Sequence, residues 1–169
     1  MPTALRKKNQ LLLAEIELTY DTDPTPVASA DSILAIDPQI KEMIEPGRRP
    51  AQVASLSRLP SVDGSKFAEL TFKVELKGSG TAGTMPRIGP LLRACGMDQT
   101  IVSATSVTYE PISASFESVT FYFFIDGRRH IITGARGDFK LTCEAGQFPM
   151  LDFTFKGRYA ASTLVSLPT

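Results

Sequence analysis

The residues with the clearest chemical reading are Gly78, Gly80 and Gly83, a G-x-G-x-x-G between an alternating strand and a short helical stretch. In dinucleotide-binding folds that arrangement cradles a pyrophosphate on backbone N–H groups at a helix N-terminus. The strand before it argues otherwise. Ala68, Leu70, Phe72, Val74 and Leu76 alternate with Glu69, Thr71, Lys73, Glu75 and Lys77, whereas the first strand of a dinucleotide fold is buried on both faces and reads as a continuous apolar run. Pro86 and Pro90 interrupt the helix, and no Lys-Ser/Thr follows the glycines to make a P-loop. What remains is a flexible turn that uses glycine for its backbone angles.

Other chemistry is sparse. His130, the single histidine, follows Arg128 and Arg129 and starts a strand, which predicts a surface side chain rather than a general base. No G-x-S-x-G or H-E-x-x-H occurs. Cys95, on the apolar face of a short helix, and Cys143, in an alternating strand, each read as a small buried hydrophobe, not as half of a disulfide or a metal site. The expectation is a non-catalytic protein with no metal and no cofactor. Eighteen basic residues balance eighteen acidic ones, so there is no basic excess of the kind that grips nucleic acid. No apolar run of about eighteen residues is present to span a membrane, and Leu11 to Ala14 is too short for a signal-peptide core. The chain therefore reads as cytoplasmic.

The elements that must position these residues are mostly strands. Residues 11–20 read as a strand through Leu12, Ala14, Ile16 and Leu18, with a helical turn as the alternative, and Asp21 to Pro26 breaks either. Ser32 to Asp37 reads as a short strand closed by Pro38. Gly47 to Lys66 reads as a long loop that carries Val53, Leu56 and Leu59 and so lies against something, either another surface or its own domain. Gly89-Pro90 opens a short helix with Leu91, Leu92 and Cys95 on its apolar face, and Gly96 stops it. Ser118 to Asp126 is apolar on both faces and predicts a central covered strand, with Asp126-Gly127 a hairpin turn into His130–Ala135. Gly134 and Gly137 mark the next bend. In the last hairpin, pairing 143 with 151 and 139 with 155 brings both apolar sets together, with a loop from Ala145 to Pro149. Lys140, Thr142 and Glu144 then share a wet face with Asp152 and Thr154. The tail from Ala160 to Thr169 reads as loose, as do residues 1–10. One domain covers 1–169.

Taken together, NQLLLAEIELTYDTDPTP, FKVELKGSGTAGTMPRIGPLLRACGM, VTYEPISASFESVTFYFFIDGRRHIITGARGDFKL and PMLDFTFKGRY resemble the tail tube proteins of long, non-contractile-tailed bacteriophages and related prophages. The resemblance runs in order over nearly the whole chain, and Gly78 to Gly96 and Gly134 to Gly137 are its most specific parts. It implies an antiparallel β-sandwich or rolled barrel of two packed sheets with one short flanking helix and a long loop. It also implies a structural virion protein whose hexameric rings stack into the tail tube around a tape measure protein, between tail tip and tail terminator proteins. DNA passes through the lumen without specific binding, and assembly takes place in the host cytoplasm. Within that picture the 47–66 loop supplies assembly contacts, with Arg48, Arg49, Val53, Leu56, Arg58 and Leu59 as interface candidates. Lys140, Thr142, Glu144, Asp152 and Thr154 are lumen-face candidates. Another tail ring such as a terminator, or a monomeric small-molecule-binding β-barrel, would use the same strands.

Overall fold

The computed structural model describes residues 9–47 and 62–168. Among the described residues, nine strands and two short helices follow in order: β1 (Gln10–Ile16), α1 (Ala28–Asp31), β2 (Ser32–Ile33), β3 (Ile36–Gly47), β4 (Val62–Glu75), α2 (Gly89–Ala94), β5 (Met97–Val102), β6 (Ser106–Pro111), β7 (Val119–Ile125), β8 (Arg128–Thr142) and β9 (Met150–Leu164). Seven strands form one antiparallel sheet in the order β2-β1-β7-β8-β9-β4-β3, and β5-β6 is a separate hairpin.

The seven-stranded sheet becomes a sandwich because β8 and β9 bend. The first part of β8, up to Ala135, pairs with β7, and the ladder of β8 with β9 slips between Thr133 and Arg136 and again between Ile131 and Ile132. Beyond the bend, Phe67–Glu75 of β4 pairs with the first part of β9, Met150–Arg158. One layer is therefore β2-β1-β7 with the first half of β8 and the second half of β9, and the other is the second half of β8 with the first half of β9, β4 and β3. Bulges of this kind increase local twist and turn a strand from one sheet into another. Gly137 and Gly157 sit where no side chain fits. A Cβ at Gly137 would meet Thr154 O and lie 2.7 Å from Phe155 Cδ1, and one at Gly157 would lie 2.7 Å from both Ile132 Cγ2 and Thr133 O.

Between the layers Phe72 of β4 meets Phe121 of β7 edge-on at 5.9 Å, and Phe121 meets Phe155 at 4.9 Å, although β4 and β7 are three places apart in the strand order. That contact is possible only because the sheet is folded over. Burying each such ring stabilises by about 1.5–3 kcal/mol. Helix α2 closes the core with Ile88, Leu91, Leu92 and Ala94, and the bidentate pair from Arg93 to Glu117 (2.6 and 2.5 Å) ties it to the segment before β7.

Several expectations hold. Strand β4 alternates as read from Ala68 to Val74, although Leu76 lies past its end and is exposed, β7 is buried on both faces, α2 stops before Gly96, and Asp126-Gly127 makes the hairpin turn with both residues at positive φ. Others are corrected. The last hairpin pairs Leu141 with Leu151 and Phe139 with Phe153, two residues away from the expected register. An even shift keeps every side chain on its face, but it carries Cys143 past the end of β8 into an exposed position. Pro38 does not close a strand: β3 runs through it with an irregularity between Ile36 and Gln39, which an edge strand tolerates because one row of its N–H groups has no ladder partner. The 47–66 loop is shorter than read, since Gly47 pairs with Val62 and β4 begins there. The tail continues β9 to Leu164, and Val165 and Leu167 pack with Leu13, Tyr122 and Phe124 in a second small cluster. The hairpin β5-β6 was not legible, because its turn at Ser103–Thr105 has no glycine, proline or asparagine and places Ala104 at φ +55°.

Candidate functional site: a wet four-stranded face and its flanks

The second layer turns its outer face to solvent, and its polar residues line up in rows across the strands. Lys41, Glu69, Lys156 and Arg136 form one row; Gln39, Thr71, Thr154 and Asp138 the next; Lys73, Asp152 and Lys140 the third; Glu75, Met150 and Thr142 the fourth. Lys156 Nζ lies 3.3 Å from Glu69 and Lys73 Nζ lies 3.1 Å from Asp152. Exposed cross-strand pairs of this kind contribute only about 0.2–1 kcal/mol each. Their effect is on the potential, because most cations sit beside a carboxylate. The structure brings Lys140, Thr142, Asp152 and Thr154 together on this face, with Glu144 just beyond the end of β8; Thr142, Glu144 and Asp152 line a depression with Lys73 and Phe148. Arg48, Arg49, Val53, Leu56, Arg58 and Leu59 lie outside the described residues.

Among the described residues this layer is open at both sides. Strand β3 pairs only with β4, and residues 136–142 of β8 pair only with β9. Unpaired edges are templates for strand addition. In the first layer β2 covers only Leu12 and Leu13 of β1.

The glycine-rich loop has a packing role at one position. A Cβ on Gly83 would meet Ala104 N and lie 2.6 Å from Val102 O, so the tip of the β5-β6 hairpin rests directly on the loop backbone; at Gly78 a Cβ would meet nothing. Between this loop, the end of β4 and the β2–β3 connection is a groove of about 470 Å³, floored by Ile33, Val74 and Ile88 and walled by Leu34 and Met85.

Two polar nodes were missed by the strand alternation. After Ile16 the pattern inverts: Glu17 is 6 % exposed and Leu18 is 101 % exposed. The Glu17 carboxylate accepts from Ser118 Oγ (2.6 Å), Thr120 Oγ1 (2.6 Å), Gly134 N (2.7 Å) and Asp21 N (2.8 Å), so the buried charge is fully hydrogen-bonded. Asp21 in turn accepts from Thr133 Oγ1 (2.5 Å) and Arg158 Nη1 (2.7 Å), and these bonds lower its pKa. The Tyr20 ring lies over Gly134 and under the Arg136 guanidinium, 5.0 Å away. The second node is His130, which is not a surface residue as expected but 8 % exposed. Its Nδ1 is 2.9 Å from Tyr159 Oη and 3.7 Å from Glu42 on β3. Burial lowers its pKa while Glu42 pulls the other way. Burial also pushes the Cys95 thiol to about 12 and, with the bond to Asp23, the Tyr122 hydroxyl to about 12.

Comparison with protein-family models finds no match, and comparison with curated proteins finds none either. Among solved structures, a chain of the cryo-EM structure of the anti-feeding prophage (AFP) baseplate, 6-fold symmetrised, is similar over 100% of both chains, with a TM-score of 0.54 and 11% identity. At that identity the likeness shows the fold: this chain shares, end to end, the β-sandwich of a chain in a sixfold-symmetrised baseplate.

Proposed function

We propose that the protein is a non-enzymatic structural subunit of a phage-tail-type particle, whose hexameric rings stack into a tail tube through which DNA is ejected. The observation that carries this reading is the four-stranded layer with a wet outer face and, among the described residues, an open strand edge at each side. Copies side by side would join β3 of one to the second half of β8 of the next and continue one sheet around a ring. The wet face would then line a channel. Rows in which lysines sit beside carboxylates suit a conduit, because clustered unpaired Lys and Arg bind phosphates tightly through counterion release. The fold shared with a chain of a sixfold-symmetrised particle supports the same reading. Partners in this picture are further copies, a tape measure protein, and tip and terminator proteins; the particle's tail is its final location, after assembly in the host cytoplasm.

That the similar chain belongs to a baseplate favours one second reading, a ring at a single level of the particle, such as a terminator. Negative-stain microscopy with light scattering over a concentration series separates the two. Tubes of constant width with a central channel are expected; rings that never lengthen would favour the single-level ring. A strict monomer at every concentration, even with a tip complex added, would favour a monomeric binding barrel and overturn the proposal.

A further inference from the structure

We infer that a second copy's β3 lies antiparallel along residues 136–140 of β8 with its Lys41 opposite Asp138, so that this ion pair sets the register between copies. The inference rests on the ring reading above and adds to it what decides how the two edges meet. In the first and third rows of the wet face the inner strands match their charges within the chain, Lys156 to Glu69 and Lys73 to Asp152. The edge strands do not. Lys41 is the single cation of β3, and Asp138 is the single carboxylate of β8 beyond its bend. Both are exposed, and among the described residues neither side chain has a hydrogen bond or an ion pair. Lys140 is likewise without an ion pair, whereas Arg136 donates to the carbonyls of Phe116 and Glu117. Lys41 and Asp138 cannot meet within one chain, because β4 and β9 lie between their strands. On adjoining copies they are complementary.

Strand direction follows from the layer itself. β3, β4, β9 and β8 are antiparallel neighbours in turn, so a copy related by rotation about a ring axis presents β3 antiparallel to β8, in a heterologous contact that a ring can close. Charge then selects among registers. An odd shift would turn wet residues to the dry face. Of the even shifts, extending the rows without a step places Arg136 opposite Lys41, and a step of four places Lys140 there; like charges directly opposite are destabilising. The unstepped joint also lacks the stagger that closure into a barrel requires. A step the other way carries Lys41 past Arg136 onto the part of β8 already paired with β7. A step of two places Asp138 opposite Lys41, Lys140 opposite Gln39 and Arg136 opposite Met43, and stays clear of the irregularity between Ile36 and Gln39. The dry face agrees with this step. It sets Phe139 beside Ile40, two residues already packed at the margin of the core, whereas the step of four sets Phe139 against the Glu42 carboxylate.

The test is sedimentation velocity over a concentration series on the wild type, Lys41→Glu, Asp138→Lys and the double reversal, with a thermal melt of each. Both side chains are exposed, so the melts are expected to match the wild type. Each single reversal is expected to raise the protein concentration needed for assembly by about fivefold or more, and the double reversal to restore it. In parallel, Lys41→Cys/Asp138→Cys in a Cys143→Ser background is expected to form disulfide-linked multimers on mild oxidation, with far less linkage from Lys41→Cys/Arg136→Cys or Lys41→Cys/Lys140→Cys. If the wild type assembles but one of those two pairs links in preference to 41–138, or the double reversal assembles no better than the single ones, the register is overturned while the ring reading stands. A wild type that stays monomeric at every concentration, with no cross-link from any pair, overturns both and points to an edge strand supplied by a different protein.

Discussion

At the scale of single residues, the protein's polar chemistry goes into holding its own loops. Glu17 satisfies two hydroxyls and two backbone N–H groups that its loss would strand in a buried site. Glu17→Ala is expected to lower stability by about 2–4 kcal/mol, read by urea denaturation; a change under ~0.5 kcal/mol would mean the node is not structural. His130 gives a pH signature. Its pKa is lowered in the fold from 6.5, so the unfolded chain takes up the proton first as pH falls. The stabilisation is complete above pH 6.5 and is lost as pH drops from there towards the folded value. His130→Phe should flatten the stability profile just below that pH, and identical profiles for the two proteins would refute the assignment. Asp21 belongs to the opposite chemical class but acts in the same direction: its lowered pKa gives stability that is present above 3.8 and lost in acid.

At the scale of elements, the bend in β8 and β9 decides the architecture. Adding a methyl at Gly137 would push into the Thr154 carbonyl and the Phe155 ring, which are backbone and core and have little room to move. Gly137→Ala is expected to cost about 2 kcal/mol or more, measured by urea denaturation. The glycine-rich loop offers a paired comparison. Gly83→Ala collides with the backbone of the β5-β6 hairpin, whereas Gly78→Ala meets nothing, so thermal melts should drop for the first and stay within about 0.5 kcal/mol of wild type for the second. Equal losses at both positions would show that the loop acts through something other than this packing.

At the scale of the whole molecule, the proposed channel makes the charge pattern of the wet face testable. With Glu69 and Asp152 in place, the lysines are paired across strands, and the assembled protein is expected to retain little duplex DNA at physiological salt. Glu69→Lys with Asp152→Lys should make the first and third rows wholly cationic and produce DNA retention that falls steeply with added salt. A double variant that assembles yet retains no more DNA than the wild type would separate this face from any DNA path.

Period-two alternation is a local property of the chain, and so β4, β7, the one-sided wetness of the last hairpin and the Asp126-Gly127 turn were legible without coordinates. So were the helix at Pro90 and the even-numbered register family of β8 with β9, because face and not pairing partner is what alternation encodes. What the tertiary structure alone decided are the features that depend on residues roughly a hundred positions apart. The carboxylate of Glu17 is buried because Ser118, Thr120 and Gly134 converge on it; nothing within its own strand predicts that convergence. Cys143 and His130 exchanged their expected environments, one carried past a strand end by the two-residue register of a local hairpin and the other covered by Glu42 and Tyr159. The bend that folds one sheet into two layers, and thereby leaves one edge of β3 and one edge of half of β8 without a partner among the described residues, is possible because Gly137 and Gly157 meet backbone across a ladder. Sequence records that glycine is there, but only the packed neighbour explains why nothing larger can be.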